Sequence, residues 1–172
     1  MRIRNLKNTE SNCIDMEIEH PDYGWAPFSA SPTDSEPLGR DLYAQAIAGT
    51  LGAITPYVKP LAQAQTERLA IIEAAYIAAN SAPISYMATT FQADAESQSL
   101  IAAVLTASSG ALPAGFVWYD TNNLPVTMTF TQLQGLAGSI LLRGQPLFVI
   151  KQTKKAAIRA ALTVQQVEAV TW

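Results

Sequence analysis

The chain is 172 residues long, enough for one ordinary domain or two small ones. It is 49% hydrophobic and 15% charged, too apolar for a disordered chain and below the roughly 25% charge of a typical domain. A formal charge of −3 argues against a nucleic-acid polyanion as main ligand; one cysteine, Cys13, and one histidine, His20, exclude an internal disulfide, a multi-cysteine metal site and a two-histidine metal motif.

The basic start Met1–Lys7 runs into polar residues 8–12 with no apolar segment after it, so neither a signal peptide nor a secretion route is expected. Cys13 to Glu19 alternates Ile14, Met16 and Ile18 with Asp15, Glu17 and Glu19, the period of a half-buried strand. His20 to Gly24 reads as a turn, with Pro21 fixing φ, and 25–30 resumes as a second strand that Pro27 assigns to an edge. Such a hairpin offers an open edge to a strand from another chain. A short helix follows, capped by Asp34 or Ser35, with Pro37 in its first turn and Gly49 past its end. Leu38, Leu42, Tyr43 and Ile47 give it one apolar face. Residues 50–60, with Gly52, Pro56 and Pro60, read as a linker of little structure.

Residues 61–80 are rich in Ala, Gln, Glu and Leu, and Leu69, Ile72, Tyr76 and Ala79 repeat at helical spacing. The longest apolar run, 69–79, is broken by Glu73 and falls short of the ~18 residues a bilayer requires, so no membrane contact is expected. Short strands are expected at 84–87 and 90–92. Asp94 caps a helix with Leu100, Ile101, Val104 and Leu105 as its buried stripe. A hairpin spans 116–130 around a turn at Asp120–Asn123. Helix resumes after Thr131, is interrupted or kinked at Gly144 and Pro146, and continues from about Leu147 to Leu162. Thr163 to Gln166 is a capping-box pattern opening one last turn. The sum is an α+β chain: a small N-terminal β-hairpin module at 1–59 and a mainly helical domain with inserted hairpins at 60–172.

Charge is segregated. Glu10 to Asp41 holds eight acidic residues against Arg40 alone; Arg143 to Arg159 holds five basic residues and no acid. The two stretches are either solvated faces or mutually attracting surfaces, within a chain or between subunits. Chemistry is otherwise sparse. Cys13 and His20 are the only possible Cys/His pair, and nothing marks them as a dyad. There is no Gly-x-Ser-x-Gly elbow and no phosphate loop. The acid pairs Asp15/Glu17 and Asp94/Glu96 fit an exposed strand face and a helix N-terminus better than a glycosidase site. Asp120–Asn123 lacks the rest of a calcium loop. The expectation is therefore no enzyme, no cofactor and no metal. Candidate partner-binding residues are Ile14, Met16, Ile18, Tyr23, Trp25 and Phe28 of the hairpin, whose simpler role is a small core. The other candidates are Lys151, Lys154, Lys155 and Arg159 on one helical flank.

Two stretches carry a resemblance. The line Ile18-x-His20-Pro21-x-Tyr23-Gly24-Trp25-x-Pro27-Phe28-x-Ala30, followed by Leu38-Gly-Arg-Asp-Leu-Tyr43, resembles a short N-terminal module of small tailed-bacteriophage tail proteins. From about Glu67 to Trp172, Phe91-x-x-Asp94-x-x-Ser97, an aromatic hairpin with Trp118 and Asn122, and the close Val167 to Trp172 resemble an uncharacterised C-terminal domain of phage tail-fibre and tail-fibre-assembly proteins. The resemblance implies a virion component of a tail fibre, baseplate or tail tip, made in the host cytoplasm. Its expected partners are other phage tail proteins and further copies of itself, a trimer by analogy with fibres, with a host surface receptor reached through the assembled tail. A fibre-assembly chaperone absent from the virion is the alternative, and a glycan-degrading tail enzyme a distant one.

Overall fold

The computed structural model describes all 172 residues, which divide into two compact units, Met1–Pro60 and Leu61–Trp172. The first is a β-sheet with one helix and the second is mainly helical, an α+β chain.

In the first unit, β1 (Ile3–Asn8), β2 (Ile14–His20) and β3 (Gly24–Ala30) form an antiparallel sheet in that order. Ile14 faces Ala30 and His20 faces Gly24, so the predicted hairpin is present. The sheet has a third strand that alternation does not announce. Asn5 sits at φ 59 and the register shifts between Arg4 and Lys7, so Ile3 and Leu6 lie three residues apart instead of two. β2 is consequently the central strand, hydrogen-bonded on both sides, and has no open edge.

Helix α1 (Pro37–Ile47) lays Leu42 and Ala46 on Leu6, Ile14, Met16 and Ala30. Its N-cap is Glu36, which makes no side-chain cap bond; Asp34 Oδ1 instead accepts from the Glu36 N–H at 3.0 Å, forming the turn that leads in. Leu38 and Ile47 stay exposed, so the apolar face is narrower than expected. The expected linker is more ordered than its Gly and Pro content suggests. Leu51 and Ile54 pack on the core, the Thr55 N–H donates to the Leu6 carbonyl, and the Asn8 N–H donates to the Thr55 carbonyl, both at 2.9 Å. This segment therefore covers part of the outer edge of β1.

The second unit is built on two long antiparallel helices, α2 (Leu61–Ser81) and α4 (Phe130–Ala160). Between them in sequence come the hairpin β4 (Ile84–Tyr86) and β5 (Thr89–Phe91), helix α3 (Ala95–Ala107), and the hairpin β6 (Val117–Tyr119) and β7 (Pro125–Thr127). Asp94 caps α3, accepting from the Ser97 N–H at 2.8 Å, which also holds its carboxyl below the usual range. The N-terminal half of α4 buries Leu133, Leu136 and Ile140 with Phe91, Ile101 and Met128. Its C-terminal half buries Ile158 with Ile72 and Val167, the last from α5 (Val164–Glu168). Each of these fully buried aliphatic side chains contributes roughly 1.5–3 kcal/mol.

Two expectations are corrected here. The β6–β7 hairpin is short: Thr129 ends it as the N-cap of α4, in a capping box with Gln132, and Phe130 belongs to the helix. And the expected interruption at Gly144 and Pro146 is absent: α4 is assigned as one helix through both. An interior proline costs a helix about 3 kcal/mol, but α4 is clamped to α2 on both sides of it. Before Pro146, the Arg143 guanidinium donates to the Asn80 and Pro83 carbonyls at 2.6 and 3.3 Å, closing the C-terminal end of α2. Beyond it, Lys155 donates to Glu73 at 2.7 Å, and the Gln65 amide donates to the Ile158 and Ala161 carbonyls.

Candidate interaction surface

The hairpin candidates divide by burial. Ile14 and Met16 are core residues of the first unit, while Ile18 and Phe28 are half-buried against it. The alternation that suggested a binding strand comes from a central strand facing its own helix, so Ile14 and Met16 are withdrawn from the contact surface. Trp25 is half-buried beneath the Arg4 guanidinium, 4.0 Å from the ring centroid, a cation–π contact. Tyr23 stands free at the β2–β3 turn, 81% exposed, its ring 4.7 Å from that of His20.

Part of the segregated charge is answered locally. Glu17 accepts from Arg4 at 2.6 Å and from Asn5 at 2.7 Å, Glu19 accepts from Arg2, and Lys59 lies 3.5 Å from Glu10. These arginines hold the Glu17 and Glu19 carboxyls below their usual range. On α4, Lys151 and Lys155 converge on Glu73 of α2 at 3.1 and 2.7 Å. Lys151 is only 9% exposed and its ammonium lies 3.8 Å from the Tyr76 ring centroid. That leaves half-buried Lys154 and exposed Arg159 as the outward part of the basic flank.

An uncovered apolar face of the second unit was not among the candidates. Between Leu141 and Ile150, five large apolar side chains of α4 (Leu141, Leu142, Phe148, Val149 and Ile150) are 42–77% exposed. The outward line Gly138, Leu142, Gln145, Val149, Gln152, Ala156 follows three- and four-residue spacing and carries no charge. On α2, the outward residues Ala70, Ile71, Ala74, Ile77 and Ala78 are likewise uncharged. A groove of about 440 Å³ opens between α2, α3 and α4, bounded by Tyr76, Leu105, Ile140 and Phe148. By length and composition α4 is also apolar enough to cross a membrane, which the run at 69–79 had not suggested. Its two ends, however, enter two packed cores. The signal for this face lay in the sequence, but the expected break at Pro146 cut the stripe in two.

Residues 63–171 match the family model described as a domain of unknown function, DUF4376. The chain belongs to the DUF4376 family. The matched region starts at the beginning of α2 and ends at the last turn, so the uncovered helix faces and the two hairpins all lie in the DUF4376 region. No curated protein and no solved structure matches the chain.

Proposed function

We propose that this protein is a structural or assembly component of a bacteriophage tail, in a fibre, baseplate or tail tip, that works through protein–protein contacts and not as an enzyme. The tail assignment rests on the resemblance of the Ile18–Ala30 line and of the DUF4376 region to tail proteins. The single observation that carries the mode of action is the uncharged, uncovered apolar surface of α4 and α2. Exposed apolar surface of this kind marks an association face in a protein kept in water. A second copy of the chain suits it, because copies meeting about a symmetry axis bring identical residues together, and the outward line from Gly138 to Ala156 has no charge to repel its own image. Three copies about one axis is the arrangement the fibre analogy favours.

The test is to count this chain in purified particles by quantitative mass spectrometry against a tail protein of known copy number. A multiple of three or six is the expected result. Absence from the particle together with abundance in the lysate would replace the reading with an assembly chaperone, whose apolar face covers an unfinished fibre. Absence from both particle and fibre intermediates would end the tail assignment.

A further inference from the structure

A second, smaller cleft of about 330 Å³ lies in the DUF4376 region between the β6–β7 hairpin, residue Gln92 and the first turns of α3. Its volume falls in the range, about 300–1,000 Å³, of small-ligand sites. From the geometry we infer that it is a binding site for a neutral saccharide. The inference stands on the cleft alone and does not depend on the tail assignment.

The chemistry of the lining selects the ligand. Phe116 and Trp118, two residues apart on the hairpin, are half-buried against the core of the unit and line the cleft with what remains exposed, their ring centroids 6.4 Å apart and their planes at 23°. Tyr119 adds an exposed ring at the edge, and Leu100 of α3 is exposed on the opposite wall. That Leu100 lies outside the core, against expectation, is part of what leaves the cleft open. Gln92, Asp120 and Asn123 supply donors and acceptors to the same space. No lysine or arginine lines it, so a phosphate or carboxylate ligand has nothing to neutralise it. A plain hydrocarbon would cover the exposed Gln92 and Asn123 amides and offer them nothing to pair with. A single carboxylate does not hold a metal ion, and no cluster of three acidic, His or Cys ligands exists in the protein. What fits is a ligand with an apolar C–H face for the rings and a ring of hydroxyls for the amides and carboxylate.

The carboxylate of the cleft is also held in place before any ligand arrives. Asp120 is 8% exposed, and its Oδ1 accepts from the Asn122 and Leu124 N–H groups, both at 2.8 Å. The Asp120 N–H donates to the Leu124 carbonyl and the Thr121 N–H to the Thr90 carbonyl, both at 3.0 Å, tying the turn to β5 beside Gln92. Oδ2 takes none of the turn's bonds. A preorganised carboxylate loses little freedom when it accepts a sugar hydroxyl.

The experiment is a titration of the full ¹⁵N-labelled chain with glucose, galactose, mannose, N-acetylglucosamine, maltose and lactose, followed at the Trp118 indole N–H, which a Trp118→Phe sample assigns. The expected result is a saturable shift with at least one sugar, weakened about fivefold or more when Gln92 and Tyr119 are both changed to alanine, the loss of one hydrogen bond and one ring contact. Both are exposed, so the variant keeps its fold, checked by an otherwise unchanged spectrum. No shift with any of the six sugars overturns the inference. So does a shift that survives the double substitution, or one that inorganic phosphate produces equally well.

Discussion

Glu73 accepts hydrogen bonds from Lys155 and Lys151, and these hold its carboxyl below the usual 4.5. A depressed folded value means the stabilisation is present above the unfolded value and is lost as pH falls through the folded one. Glu73→Gln is therefore expected to lower Tm at neutral pH, where it strands the buried Lys151, and to converge with the parent as pH drops below about 4.5. Parallel melts across that window check this, and a difference independent of pH would refute it. Gly135 is the second residue where one atom decides the sign. Alanine at an open helical site gains up to about 1 kcal/mol over glycine, but a Cβ here would lie 2.0 Å from the Tyr86 hydroxyl and 2.8 Å from its Cζ. Because Tyr86 packs on the core, Gly135→Ala is expected to cost about 1–3 kcal/mol by urea unfolding; a gain would show that the ring moves freely. Met16, 3% exposed, behaves as core: Met16→Ala should cost about 2–5 kcal/mol in the first unit, whereas Tyr23→Ala should leave its melting unchanged.

At the scale of elements, α4 holds the second unit together, and Pro146 is its weak point. Pro146→Ala returns an N–H to the Leu142 carbonyl and is expected to raise stability by about 1–3 kcal/mol, read as a higher urea midpoint. Lower stability would mean that the helix is bent at this point to fit its neighbours. Much of the element pattern was legible before any coordinates. The caps at Asp94 and Thr163, the α2 repeat through Ile72 and the hairpin around Asp120 follow from local rules, because one or two residues satisfy them. What was not legible had non-local causes. β1 is hidden by the bulge at Asn5, α4 is held through Pro146 by Arg143 reaching the end of α2, and the 50–60 segment is ordered by Leu6 and Asn8 of a strand some fifty residues away.

For the whole molecule, the decisive surface is the one left uncovered. Leu142→Lys with Val149→Lys places four or more like charges at the proposed axis of an oligomer while changing residues already in solvent, so helical circular dichroism should hold. Sedimentation equilibrium is expected to move from an oligomer to a monomer. An oligomer that survives the pair would place the contact elsewhere, and a monomeric parent would remove the self-association altogether. The sequence by itself determined the class: the acidic, β-rich first unit, the helical second unit, the scarcity of catalytic side chains and the caps that start the helices. These are properties of composition, period and short-range hydrogen bonding, which residues carry with them. Only the tertiary structure decided which apolar residues remain outside. Ile14 and Leu142 are alike to any hydropathy rule, and one is core while the other faces water. Burial depends on which element arrives to cover a face: α1 covers β2, but no element of the second unit covers the outer side of α4.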